Sequence, residues 1–353
     1  MSGDAMTQDS PVSGHDPATA GEAPGGPRYA IGTWIVSVAY FALVFDSRWY
    51  AHDDGGLAHS AWRVLSGQLP HRDYDDMHTG LLTYLHAAAM SVLGVDLLSP
   101  RILLLIAFAL WVPAVWSIAR RFATPQGAAL CTALAVSLGP TVHPSPMPSW
   151  YNLFLATWSL WALLRWNEAG ARRWLFFAGA AAGLSVLMKI VGLYTVAAGL
   201  GFLLHRVVMR PRPERGALLT VAGALAVLVL LEILLVRSQA SLATWIWYVV
   251  PTVALGAAAV VTAAGSAGSS GSAVSNASSG RTMWFREIVT TVGMFAAGAA
   301  APIALWALFY ASQGALGDLI RGVVILPTVR FAATAYPPPA LLGALGALVP
   351  VAL

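Results

Sequence analysis

The sequence predicts an all-α, polytopic transmembrane helical bundle, and three observations carry that prediction. Of 353 residues, 58% are hydrophobic and 10% are charged. Soluble domains carry about 25% charged residues, so much of this surface must meet lipid instead of water. The apolar residues fall in long runs, approaching the roughly 20 residues that a membrane helix needs. The arginines sit in short breaks between those runs, the pattern by which loops sort across a bilayer. That sorting accounts for the net charge of +4 without any role for nucleic acid. Cys131 is the single cysteine, which excludes an internal disulfide and a cysteine metal site.

Residues 1–29 are rich in Gly, Pro, Ser, Thr and Asp and read as a disordered tail, leaving 30–353 as one transmembrane domain. The first apolar run, Ile31 to Phe45, is expected as a first membrane helix extended into its flanks. Further runs are about 101–118, 127–142, 150–165, 174–188, 190–207, 217–236, 243–263, 288–310 and 340 onward. The last reaches Leu353 without a stop signal, so the natural chain is expected to continue past it. Residues 264–282 form a Ser/Gly/Ala-rich stretch expected as a flexible cytoplasmic linker.

Segment 81–97 is apolar enough to span but is short and is broken by Gly94 and Asp96. The arginines decide its placement. If it lies along the interface or re-enters, then Arg120, Arg121, Arg165, Arg172, Arg173, the 206–215 cluster, Arg281 and Arg286 all fall on the cytoplasmic side. The polar loop 46–100, the Pro-rich loop 140–149, Lys189 and the Asp318–Arg330 segment then face outward.

The polar stretch Asp46 to Gly80 holds six of the sixteen acids and four of the eight histidines. Within it, Leu57, Ala61, Trp62 and Leu65 fall at helical spacing, with Gly67 and Pro70 as a stop. This gives a short amphipathic interfacial helix with His59 and Arg63 on its polar side. The pair Asp53–Asp54 falls between the first span and this helix. A like charge and partial desolvation both raise a carboxylate's pKa, which suits a general base for a hydroxyl. The bland alternative is a solvated acidic loop in which Asp54 caps the helix. His143, with Pro144, Pro146 and Pro148, makes a rigid outer loop and reads chiefly as structural. Trp150, Tyr151, Trp245, Trp247 and Tyr248 read as an interfacial belt. Glu232 lies inside a run, where an ionisable group is a functional candidate. Asp318 and Arg321 lie in an amphipathic segment that could cover an outer cavity.

The order Asp53-Asp54, a short helix, Gly67-Gln68-Leu69-Pro70-His71-Arg72-Asp73, then His78-Thr79-Gly80 resembles the first extracytoplasmic loop of GT-C glycosyltransferases. These include the protein O-mannosyltransferases and the lipid A aminoarabinose transferase. Gly94 and Arg101 follow as in that family, and Gly183 to Lys189 resembles its small-residue helix ending in Lys. The family's double proline is absent, and Thr79 stands there. The resemblance implies a multi-pass enzyme of the bacterial plasma membrane with an extracytoplasmic site. It would move a sugar from a polyprenyl-phosphate donor to an acceptor hydroxyl on a glycan, lipid or protein, inverting the anomeric carbon. It implies Asp53 and Asp54 as the catalytic carboxylates, and the rival duty of Asp54 as a helix cap sets Asp53 ahead of it. Arg101 and Lys189 would be donor-phosphate ligands, with His59, Arg72, Asp73, Asp76 and His78 in support. A divalent metal is used by some members; His52, His59 and the Asp cluster could bind one, without a diagnostic spacing. The competing readings are a transporter or lipid flippase, which would show repeated halves with broken helices, and a polysaccharide polymerase or ligase of another membrane fold.

Overall fold

The computed structural model describes residues 26–208, 250, 253 and 277–327. Every regular element among them is helical. In order these are α1 (Gly26–Val44), α2 (Ala51–Leu65), α3 (Leu81–Leu93), α4 (Leu98–Ala119), α5 (Pro125–Ser137), α6 (Pro148–Ala169) and α7 (Arg173–Met188). After a 3₁₀ turn (Ile190–Gly192) come α8 (Leu193–Val208), α9 (Ala277–Ser312), α10 (Leu316–Ile320) and a π-helical turn (Arg321–Ile325). Among the described residues three segments are long and apolar enough to cross a membrane: Gly26–Val44, Leu98–Ala119 and Val289–Ser312. The chain is thus an all-α helical membrane protein. The runs expected at 217–236, 243–263 and 340 onward, with Glu232, lie outside the described residues apart from positions 250 and 253.

Helix α3 has 13 residues. At 1.5 Å per residue it is roughly 20 Å long, too short for a hydrocarbon core of about 30 Å. It packs against α2 through Ala58, Ala61, Ala87 and Met90. The two form a hairpin at one end of the bundle.

Pairings between helix ends show that the long helices alternate in direction. At one end, Arg121 at the close of α4 pairs with Glu168 at the close of α6. The Gln126 amide there donates to the Tyr29 hydroxyl near the start of α1, at 3.2 Å. At the other end, Arg101 at the start of α4 reaches the Phe45 carbonyl just past α1. Lys189 at the close of α7 donates to Ser149 at the start of α6, at 3.1 Å. Arg120, Arg121, Arg165, Arg172 and Arg173 therefore share one end, and the whole polar loop shares the other.

Helices α7 and α9 run side by side in the same direction, joined by a seam of glycines. A Cβ at Gly179 would run into the Phe295 carbonyl oxygen, one at Gly183 into that of Ala299, and one at Gly298 into that of Phe176. Gly179 and Gly183 are four apart on one face, the small-residue spacing that lets membrane helices approach backbone to backbone. Around this seam, Leu175, Ala178, Ala182, Leu203 and Phe295 are buried with Ala162 and Leu163. A second core, Phe41, Leu82, Leu104, Phe108, Trp111, Tyr151, Phe154 and Met188, joins α1, α3, α4, α6 and α7 beneath the polar loop.

Three expected boundaries shift. Helix α1 begins at Gly26, inside the stretch read as a tail, with Pro27 in its first turn, where proline's missing N–H costs nothing. Helix α9 begins at Ala277, inside the stretch read as a linker, whose residues 264–276 lie outside the described ones. Helix α2 begins at Ala51, so Asp53 and Asp54 lie within its first turn and not before it. Carboxylates are favourable there against the positive helix N-terminus, which is why an acidic pair does not delay the helix.

Candidate active site

The two adjacent carboxylates of α2 have different surroundings. Successive residues on a helix point roughly 100° apart, and here that separates a buried acid from a partly exposed one. Asp54 is 3% exposed. Arg101, fully buried, grips it in a bidentate pair: Nε to Oδ1 at 2.9 Å and Nη2 to Oδ2 at 2.8 Å. The Tyr50 backbone N–H also donates to Asp54 Oδ2, at 2.8 Å. The remaining Arg101 bonds go to the Phe45 and Arg48 carbonyls, and Trp49 covers the guanidinium at 3.9 Å. The residue capping α2 is Tyr50, so Asp54 is not the helix cap. It ties the start of α4 to the segment that follows α1. The Arg101 guanidinium is turned to this carboxylate and two carbonyls, and not to an open surface.

Asp53 is one-third exposed and meets His143 Nε2 at 3.2 Å. With Asp53 ionised, the Nε2–H donates to it. The imidazole lies against the Tyr50 ring, centroids 3.8 Å apart. Its backbone carbonyl accepts from Trp150 Nε1 at 2.9 Å, which fixes the Pro-rich loop to the top of α6. His143 is the residue whose part in the site is missed by sequence reading. The available signal was its place in an outward loop on the same side as the acidic pair.

Lys189 is half-buried at the end of α7, in extended backbone. Its Nζ donates to Ser149 Oγ at 3.1 Å. Ser149 precedes Trp150, so Lys189 and the Asp53–His143 pair are linked through the first turn of α6. The short helix end is held by Thr79, whose hydroxyl donates to the Leu187 carbonyl.

Among the supporting residues expected from sequence, Asp76 is buried and builds the loop. Its Oδ1 accepts from the His78 backbone N–H at 2.9 Å and its Oδ2 from the Thr83 hydroxyl at 2.8 Å. Arg72 and Asp73 form an exposed pair at 2.8 Å. Arg72 and the Leu69 N–H together hold the Asp73 carboxyl down at a pKa of about 2, and Asp73 in turn raises the Arg72 guanidinium. His59 is exposed and stacks on Trp62, centroids 5.7 Å apart. Arg72, Asp73 and His59 bond to neither Asp53 nor Lys189. Among the described residues no three His, Cys, Asp or Glu side chains gather as a metal site requires.

The end of α9 and the segment after it complete the site end. Trp306 Nε1 donates to the Thr79 carbonyl at 3.1 Å and the Tyr310 hydroxyl to the Pro70 carbonyl at 3.2 Å. His71 holds a left-handed backbone, φ 67°, the one non-glycine to do so among the described residues. Its ring lies where any side chain on Gly322 would have to go, so the π-helical turn closes directly on the polar loop.

Fold and site together define a helical membrane protein with an acid, a histidine and a lysine gathered at the end opposite its basic cluster. A family model described as dolichyl-phosphate-mannose-protein mannosyltransferase matches residues 77–233. The match indicates a glycosyltransferase of the mannosyltransferase type. The matched stretch contains Arg101, His143 and Lys189 and begins after the acidic pair. No curated protein and no solved structure matches the chain.

Proposed function

We propose that the chain transfers a sugar from a polyprenyl-phosphate carrier to an acceptor hydroxyl, inverting the anomeric carbon, with Asp53 as the base. The observation that carries this is the partly exposed Asp53–His143 pair, linked to Lys189 through the first turn of α6 and distinct from the buried Asp54–Arg101 pair. The acceptor oxygen attacks the anomeric carbon as its proton passes to the Asp53 carboxylate. The bond from that carbon to the carrier's phosphate oxygen breaks, and the electron pair leaves with the phosphate. An anion that stable needs a cation and no acid; the Lys189 ammonium supplies one. His143 orients Asp53 and shares the gained proton. Asp54 and Arg101 hold the first turn of α2 in register.

The positive-inside rule places the basic end in the cytoplasm and the site on the extracytoplasmic side of a multi-pass protein. In this reading residues 30–353 form one transmembrane unit in the bacterial plasma membrane, with 46–100 as its catalytic loop. Asp53→Asn keeps size and hydrogen bonding and removes basicity. Transfer from a radiolabelled polyprenyl-phosphate sugar should fall by about 10²–10⁴-fold, with thermal stability unchanged. Near-wild-type transfer by this variant would overturn the mechanism.

A further inference from the structure

Beneath the polar loop, α3 and α6 bring together two polar side chains that the mechanism above does not use. His86 is fully buried and Tyr151 is 5% exposed. Their rings meet edge to face, with centroids 5.9 Å apart. Both His86 ring nitrogens and the Tyr151 hydroxyl are buried with no hydrogen-bond partner among the described residues. Buried polar atoms are almost always partnered, and a pair of neighbouring side chains that are not is a feature to be explained.

Their position narrows the explanation. Tyr151 lies two residues beyond Ser149, the partner of Lys189. His86 lies three residues beyond Thr83, the partner of Asp76. Along its own helix each residue is thus within one turn of a residue that touches the cation or the loop carboxylate. The neighbours are apolar: Leu82, Phe154 and Met188 share Tyr151's cluster. Burial, with the His78 charge adding to it, lowers the His86 pKa to about 3. The imidazole is thus neutral and offers one N–H and one lone pair; the Tyr151 hydroxyl offers one of each as well. A neutral group that both donates and accepts, set among apolar neighbours, complements a hydroxyl group.

We propose that His86 and Tyr151 form a subsite for hydroxyl groups of the transferred sugar, a role that rests on the glycosyltransferase reading above. Lys189 holds the phosphate end of the donor, and this pair reads the sugar one turn deeper. The pair thereby sets preference for a sugar-bearing carrier over the bare lipid phosphate.

The test is equilibrium binding of two probes, polyprenyl-phosphate mannose and polyprenyl phosphate, to the full chain in detergent. Tyr151→Phe removes one oxygen and His86→Phe removes both ring nitrogens at similar volume. Each variant should bind the mannosyl lipid about 10-fold more weakly, the equivalent of one hydrogen bond, and bind the sugar-free lipid as the wild type does. If Tyr151→Phe binds both lipids like the wild type, the pair does not touch sugar and the proposal is overturned. Equal weakening of both lipids with a lower melting temperature would overturn it too, by assigning the pair a structural role. A wild type that binds the two lipids equally, and transfers no mannose, would instead remove the underlying glycosyltransferase reading.

Discussion

Replacing Arg101 with Met tests whether this cation serves the fold or the donor. The substitution keeps a long side chain and removes the charge and every donor. Asp54 would then keep the single bond from the Tyr50 N–H and lose both bonds from the guanidinium, while remaining 3% exposed. Removing one partner of a buried ion pair strands the other, at a cost of about 3–5 kcal/mol. Asp54→Leu strands the guanidinium in turn, although the Phe45 and Arg48 carbonyls still accept from it. Its cost should therefore lie at the lower end of that range. The double variant Asp54→Leu, Arg101→Met leaves no unpaired charge, so its cost should fall short of the sum of the two by about 0.5–3 kcal/mol. The assay is denaturant or thermal unfolding of purified protein in detergent, run as a double-mutant cycle alongside donor binding. If Arg101→Met kept its stability but lost affinity for polyprenyl phosphate, the guanidinium would be a phosphate ligand and the structural reasoning would fail.

Lys189→Ala should weaken polyprenyl-phosphate binding by about 10–100-fold, the value of a hydrogen bond to a charged group, while Ser149→Ala changes it little; unaltered binding in Lys189→Ala would remove Lys189 from the site. Gly179→Ala forces a methyl into the Phe295 carbonyl and should destabilise by about 1–3 kcal/mol, whereas Gly293→Ala, with open space around its Cβ position, serves as a neutral control; equal unfolding of the two would refute the seam. Asp73 has a folded pKa of about 2, below the unfolded value of about 3.9. The unfolded chain therefore takes up the proton first as pH falls, and the stabilisation is present above pH ~3.9 and lost as pH falls through about 2. The stability difference between wild type and Asp73→Asn should shrink over that window, and a difference independent of pH would show that the Arg72 contact contributes nothing.

The helices were largely legible because lipid imposes a simple rule on composition. A run of apolar residues closed by arginines has few other uses, and α4, α6 and α7 lie close to where their runs do. The amphipathic helix before Gly67 was also legible from Leu57, Ala61, Trp62 and Leu65, but its start was not. Its first turn is polar, and nothing in a period of apolar residues marks a turn stabilised by Asp53 and Asp54 against the helix dipole. The site was legible in its depth and not in its pairings. Hydropathy places Asp53, Asp54, Arg101, His143 and Lys189 at one level of the bundle. It cannot say which carboxylate faces the guanidinium, because that depends on a 100° rotation between neighbours on α2. It cannot say that His143, 90 residues away, meets Asp53. Nor does any local pattern mark Trp306 and Tyr310 as supports of the polar loop.

That last arrangement bears on the order in which the protein is made. The loop around Pro70 and Thr79 is translated early, yet Trp306 and Tyr310, which bond its carbonyls, follow 227 and 240 residues later. At about 5–20 residues per second, the ribosome needs roughly 10–50 s to supply them. Over that interval the loop would wait with the Thr79 and Pro70 carbonyls unclaimed by their final donors. Competence at this end of the bundle is then a late event of biosynthesis, set by the arrival of α9 and not by completion of the helices that carry the acid, the histidine and the lysine.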